Sequence, residues 1–160
     1  MLEVFVENKF YNNFSLVLVG KKDLPNPKFD KLYESLPISI KEKIVILEKV
    51  DFEQLQLLIR GARLSIYPSI AEGFGIPPLE AAATGITSLY ANRTAMVDFN
   101  FLKNCEFDPF DKIDLKEKIE LKLKNNESID YSELIKENYN WKKSAFNYLR
   151  ALTKPTTKYK

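Results

Sequence analysis

The chain has 160 residues, among them 24 Lys and Arg, 22 Asp and Glu, one cysteine and no histidine, which predicts a single domain able to bury roughly 70% of its unfolded surface. The net charge of +2 comes from scattered basic residues and argues against a nucleic-acid partner. Without histidine, Ser-His and Cys-His nucleophile pairs and most transition-metal sites are excluded, and the single cysteine favours a reducing cytoplasmic location.

Short apolar runs alternate with segments of helical period along the chain. Strands are predicted at residues 14–19, 43–47, 64–67, 86–90 and 105–107, and helices at residues 52–61, 77–84, 113–124 and 141–152. Strands that alternate with helices indicate a Rossmann-like, doubly wound α/β fold with a parallel sheet covered on both faces. No apolar run reaches the roughly 18 residues that would span a bilayer, so no integral membrane segment is predicted.

Ligands of such folds bind where the strands end, and two loops meet that rule: residues 20–23 and residues 68–75. The second loop and the helix predicted after it contain two carboxylates, Glu72 and Glu80, on either side of a Gly-Phe-Gly turn that leads into the helix through two prolines. Glycines allow the backbone close to a ligand, and the first-turn amides of a helix are unused donors. This layout predicts a site for an anion such as a nucleotide diphosphate.

The loop and the start of the helix that follows it resemble a motif of a known family. Residues 68–81 resemble the Glu-x7-Glu signature of retaining glycosyltransferases of the glycogen synthase and group 1 type. Other segments follow the same family order, so that the resemblance extends over residues 2–149; these segments are residues 16–20, 44–50, 62–69, 91–98, 107–111 and 139–141.

The resemblance implies the C-terminal, donor-binding half of a GT-B fold over residues 1–150, followed by a polar tail at residues 151–160. It implies a hexosyltransferase whose partners are a nucleotide-diphosphate sugar donor, a missing N-terminal acceptor domain of the same enzyme, and a glycan or glycolipid acceptor. Such a half is expected to be inactive alone. Any peripheral contact with the inner membrane is expected through the missing domain. No metal or other cofactor is expected, because amide dipoles and basic side chains stabilise the leaving diphosphate.

Site residues follow from the same resemblance, position by position. Glu72 is expected to act as the catalytic residue near the reacting carbon of the donor sugar, and Glu80 to bind the ribose hydroxyls from the first turn of its helix. The complete donor-binding set is Gly20 at the diphosphate, Val50 at the base, Ser69, Gly73, Phe74, Gly75, Ile76 and Glu80.

This sequence departs from the family pattern in three ways. The usual central strand, and the Arg or Lys that neutralises the diphosphate, would lie before Met1, so the sheet is expected to lack its middle. Glu48 stands where the family usually has glycine, and Asp98 where it usually has glutamate.

Alternatives stay open for both the residues and the function. Glu80 could be a carboxylate that only complements the helix dipole, Glu72 a solvated loop residue, and Arg93 either a phosphate ligand or a structural residue. The chain could also be a non-catalytic nucleotide-sugar binding module. A nucleotide-sugar epimerase of GT-B fold is less favoured, because such enzymes use other carboxylates and histidines.

Overall fold

Parallel strands and helices alternate throughout the part of the chain that the structure, a computed structural model, describes: residues 1–22, 24–124 and 129–153. The strands are β1 Leu16–Val19, β2 Ile44–Leu47, β3 Ser65–Tyr67, β4 Ser88–Ala91 and β5 Glu106–Phe107. The helices are α1 Leu2–Glu7, α2 Pro27–Ser35, α3 Ile38–Lys41, α4 Phe52–Gly61, α5 Ile76–Ala83, α6 Lys112–Lys124, α7 Ser132–Asn138 and α8 Trp141–Thr153. Short 3₁₀ segments occupy Phe10–Asn12 and Thr94–Phe99.

The strands confirm the predicted parallel α/β class but form two sheets, β1-β2 and β3-β4-β5. Coverage on both faces is confirmed for β4, all of whose residues are buried. It is wrong for the first sheet, where Val17 and Val19 of β1 point away from the core and are exposed.

Each sheet has its own apolar cluster, and α1 contributes to both. Val4 packs into the larger cluster, around Leu89 and Phe107 of the second sheet, whereas Leu2 and Phe5 pack into the smaller cluster of the first sheet. Because successive side chains of a helix point in different directions, one short helix can join the two sheets.

The prediction that one face of α8 packs inside the protein is wrong. The residues assigned to that face are exposed, with Trp141 at 91% exposure and Leu152 at 65%; the face comprises Trp141, Ala145, Tyr148, Leu149 and Leu152. The apolar stripe exists in the sequence, but the described part of the chain does not cover it. The predicted tail begins inside α8, and residues 154–160 lie outside the described residues.

Across residues 1–22, 24–124 and 129–153, no helix is both long and apolar enough to span a bilayer.

Candidate functional site

The loop between β3 and α5 makes a turn that requires a glycine at its last residue. Gly75 has φ of +87° and caps the first turn of α5. A Cβ atom at this position would lie 2.6 Å from Met96 Cγ and 3.2 Å from Phe99 Cε2. The left-handed backbone and the close approach of the core both exclude larger residues. Because residue 75 is glycine, the loop can pack directly against Met96 and Phe99.

The aromatic ring of Phe74 also holds the loop between β3 and α5 in place. The ring meets Phe99 and Tyr139 edge to face, with centroid distances of 6.2 and 5.8 Å. Such ring pairs are favourable beyond the area they bury. Tyr139 belongs to the segment at residues 139–141 that follows the family order, and its ring connects the C-terminal part of the chain to the loop. Trp141, in the same segment, is 91% exposed.

The amides that the sequence analysis assigned to an anion lie in this loop more than in the helix that follows. Pro77 and Pro78 have no N–H group, so two of the first-turn donors that the sequence analysis invoked are absent. Among the described residues, no protein acceptor takes a hydrogen bond from the amides of Phe74, Gly75 or Ile76. Three consecutive N–H groups therefore remain for a ligand.

Glu80 lies slightly further along α5 than predicted. The helix begins at Ile76, one residue earlier than expected, so Glu80 is its fifth residue and falls outside the first turn. Its side chain is half-buried. The influence of a helix dipole falls off within the first turn, and the dipole explanation for this carboxylate is weaker as a result.

Two hydroxyl groups hold the carboxylate of Glu72. Hydrogen bonds from Ser69 and Tyr67 lower the pKa of Glu72 below its usual value, and the Tyr67 hydroxyl donates to Glu72 Oε1 at 2.7 Å. Burial, with the hydrogen bond to Glu72, raises the pKa of Tyr67 to about 12. Glu72 is therefore ionised at neutral pH, and Tyr67 remains a donor.

The backbone of Glu72 is held by a residue that the sequence analysis did not single out. The Glu72 N–H group donates to Thr94 Oγ1 at 2.9 Å, across 22 residues of chain. Thr94 has φ of +49°, a conformation that is unusual for a β-branched residue and is often found at functional sites. No local sequence signal points to this contact, because it depends on the turn after β4.

We expect the strain at Thr94 to be measurable with a matched pair of variants. Thr94→Gly and Thr94→Ala both remove the hydroxyl, but only glycine accepts a positive φ without cost. The glycine variant should therefore be more stable than the alanine variant by about 1 kcal/mol in the free energy of unfolding. Urea denaturation of the two variants measures this difference, and equal midpoints would refute the strained conformation.

The side chain of Arg93 contacts two residues that follow β5. Its guanidinium pairs with Asp108 at 2.9 Å and lies 5.4 Å from the centre of the Phe110 ring. These contacts join the ends of β4 and β5 and fix the loop that carries Thr94. They favour the structural alternative for Arg93 over the phosphate-binding one.

Gly20 and Val50 lie at the carboxyl ends of the other sheet. Gly20, with φ of +140°, follows β1 and donates its N–H group to Leu47 O at 3.0 Å, while Val50 lies in the loop after β2. Neither residue is among the hydrogen-bond partners of Glu72. The structure thus brings Ser69, Glu72 and the Gly-Phe-Gly turn together, and it leaves the predicted diphosphate and base contacts on a separate sheet.

Within the described ranges, no group of three or more Cys, Asp or Glu side chains could hold a metal ion. The expectation that no metal takes part stays a prediction.

Comparison with known proteins points to one family. The family described as Glycosyl transferases group 1 matches residues 1–141. An O-antigen chain mannosyltransferase, RfbU, of Salmonella typhimurium is 35% identical over 83 residues, which are 50% of this chain and 23% of RfbU. A serotype-specific mannosyltransferase, WbdA, of Escherichia coli is 30% identical over 93 residues, 58% of this chain and 11% of WbdA. An uncharacterized glycosyltransferase of Methanocaldococcus jannaschii is 34% identical over 74 residues, 46% of this chain and 18% of that protein. The matched part of the chain thus spans less than a quarter of these relatives.

Proposed function

Because the chain belongs to the group 1 glycosyl transferases, we propose that it is the donor-binding domain of a retaining glycosyltransferase. The transferred group is a hexose, with mannose favoured by the names of two relatives. The donor is a nucleotide-diphosphate sugar, and the acceptor is a glycan or glycolipid held by another part of the same enzyme. The enzyme works in the cytoplasm, and any contact with the inner membrane is made by that other part.

One observation carries this proposal: three unused amides lie between two carboxylates. The N–H groups of Phe74, Gly75 and Ile76 point to no protein acceptor among the described residues, Glu72 precedes them and Glu80 follows them. A diphosphate needs clustered donors, and a ribose needs a carboxylate that accepts from two vicinal hydroxyls. This short segment offers both groups in the order in which a nucleotide-diphosphate sugar presents them.

Each group then has a role in the reaction. Loop amides stabilise the negative charge that grows on the diphosphate as the bond from the anomeric carbon to the phosphate oxygen breaks. The ionised Glu72 carboxylate stabilises positive charge on the sugar. It has no proton to give at neutral pH, so it is not a general acid. The acceptor oxygen attacks from the face that the diphosphate leaves, and its proton passes to the departing phosphate.

Binding of the leaving group tests the proposal on this chain alone. Calorimetric titration with guanosine and uridine diphosphates should give heat with at least one of them, because the loop amides and Glu80 contact only the nucleotide part of the donor. We expect no transfer by this domain alone. No heat with either nucleotide, from a sample that circular dichroism shows to be folded, would refute nucleotide binding.

A further inference from the structure

The sheet and the apolar cluster behind it hold the side chain of Tyr67 in place. Tyr67 is the last residue of β3, paired in the parallel sheet with Tyr90 of β4. Its side chain is half-buried and packs against the larger apolar cluster. Its hydroxyl contacts the loop that follows the strand.

This hydroxyl is one of several restraints that act on a single residue. The Tyr67 hydroxyl donates to Glu72 Oε1 at 2.7 Å, Ser69 makes a further side-chain hydrogen bond, and the Glu72 N–H group donates to Thr94 Oγ1 at 2.9 Å. Glu72 lies on a loop, and its side chain is half-buried. A carboxylate in such a place ordinarily samples several rotamers, which a set of fixed donors prevents.

We propose that Tyr67 is a positioning residue, whose hydroxyl holds the Glu72 carboxylate in one orientation toward the donor sugar. The inference rests on the proposed function for the role of Glu72, but the hydrogen bond itself can be tested without it. The tyrosine suits this task because a phenol hydroxyl is protonated through the neutral range, and burial, with the hydrogen bond to Glu72, raises the pKa of Tyr67 further, to about 12. It therefore acts only as a donor to the carboxylate, and a fixed donor in a fixed place needs little reorganisation when charge develops on the substrate.

The first test measures the pKa of Glu72 in this chain by carbon-13 NMR of its carboxyl group. Tyr67→Phe removes the hydroxyl and keeps the ring, so the pKa of Glu72 should rise toward its usual value. Tyr139→Phe is the matched control, because the Tyr139 ring contacts Phe74 in the same loop; it should leave the pKa of Glu72 unchanged. An unchanged pKa of Glu72 in Tyr67→Phe would overturn the proposal.

The sign of the pH effect follows from the lowered pKa of Glu72. A depressed folded-state pKa stabilises the fold above the unfolded-state pKa, and this contribution is lost as the pH falls through the folded-state value. In Tyr67→Phe this contribution should be smaller, and its loss should be complete at a higher pH than in the wild-type chain. The acidic limb of kcat in the whole enzyme should move in the same direction.

The second test measures turnover in the whole enzyme. Tyr67→Phe should lower kcat about tenfold, as the loss of one hydrogen bond to a charged group would, while KM for the donor changes little. An unchanged kcat would contradict the positioning role. The calorimetric titration keeps the two proposals apart, because wild-type chain that binds no nucleotide sinks the donor-binding function while the NMR titration still reports on the hydrogen bond.

Discussion

Replacing Gly75 by alanine should lower the free energy of unfolding by about 2–5 kcal/mol and abolish nucleotide binding. A non-glycine residue at φ of +87° costs roughly 1–2 kcal/mol. The new Cβ would also lie 2.6 Å from Met96 Cγ, and overpacking of this kind costs about 1–3 kcal/mol. Met96 is fully buried, so the loop is the part that moves, and its amides move with it. Urea denaturation and calorimetry measure the two effects.

Gly73 provides the matched control for this variant. It lies in the same loop, a Cβ there would meet nothing within 4 Å, and its φ lies outside the positive range. Gly73→Ala should therefore stay within about 0.5 kcal/mol of the wild-type stability. Equal stability of the Gly73→Ala and Gly75→Ala variants would contradict the close approach of Gly75 to Met96.

The second large effect is expected at Glu80. If its carboxylate accepts hydrogen bonds from both ribose hydroxyls, Glu80→Ala removes about 3 kcal/mol of binding free energy, or roughly a hundredfold in Kd for the nucleoside diphosphate. Stability should change little, because Glu80 is only half-buried and lies beyond the first turn of α5. Calorimetry at constant pH and ionic strength measures the change.

Glu72→Gln is the matched control for Glu80→Ala, because the two carboxylates are proposed to contact different parts of the donor. It should leave the Kd of the nucleoside diphosphate within about threefold, a difference below 1 kcal/mol, and lower kcat of the whole enzyme. The assignment of the ribose to Glu80 would fail if Glu80→Ala bound the nucleotide as tightly as the wild-type chain.

Local patterns predicted all five strands and four of the eight helices of the described residues, but they did not predict α1, α2, α3 or α7. The run at residues 14–19 predicted a strand and contains β1, and the spacing of Leu55, Leu58 and Ile59 predicted α4. The exposed face of α8 shows the limit of such patterns. An amphipathic sequence indicates that a helix has an apolar side, but it does not indicate which surface covers that side.

The site was predictable to a smaller extent. The glycines, the prolines and the two glutamates are close in sequence, so their loop and its function class could be inferred. The restraints on Glu72 could not, because they depend on where two side chains end in space: Tyr67 at the end of β3, and Thr94 beyond β4. The roles of Gly20 and Val50 came only from the resemblance, and they remain predictions.

Binding of a nucleotide diphosphate by the loop at residues 73–76 can be followed residue by residue. Nitrogen-15 NMR of this chain, titrated with the guanosine or uridine diphosphate that binds more tightly, reports on each amide of the loop. The largest amide shifts should fall on Phe74, Gly75 and Ile76, while Gly61, at the far end of α4, should not move. Saturable binding that shifts other amides and leaves these three unchanged would refute diphosphate binding by the loop.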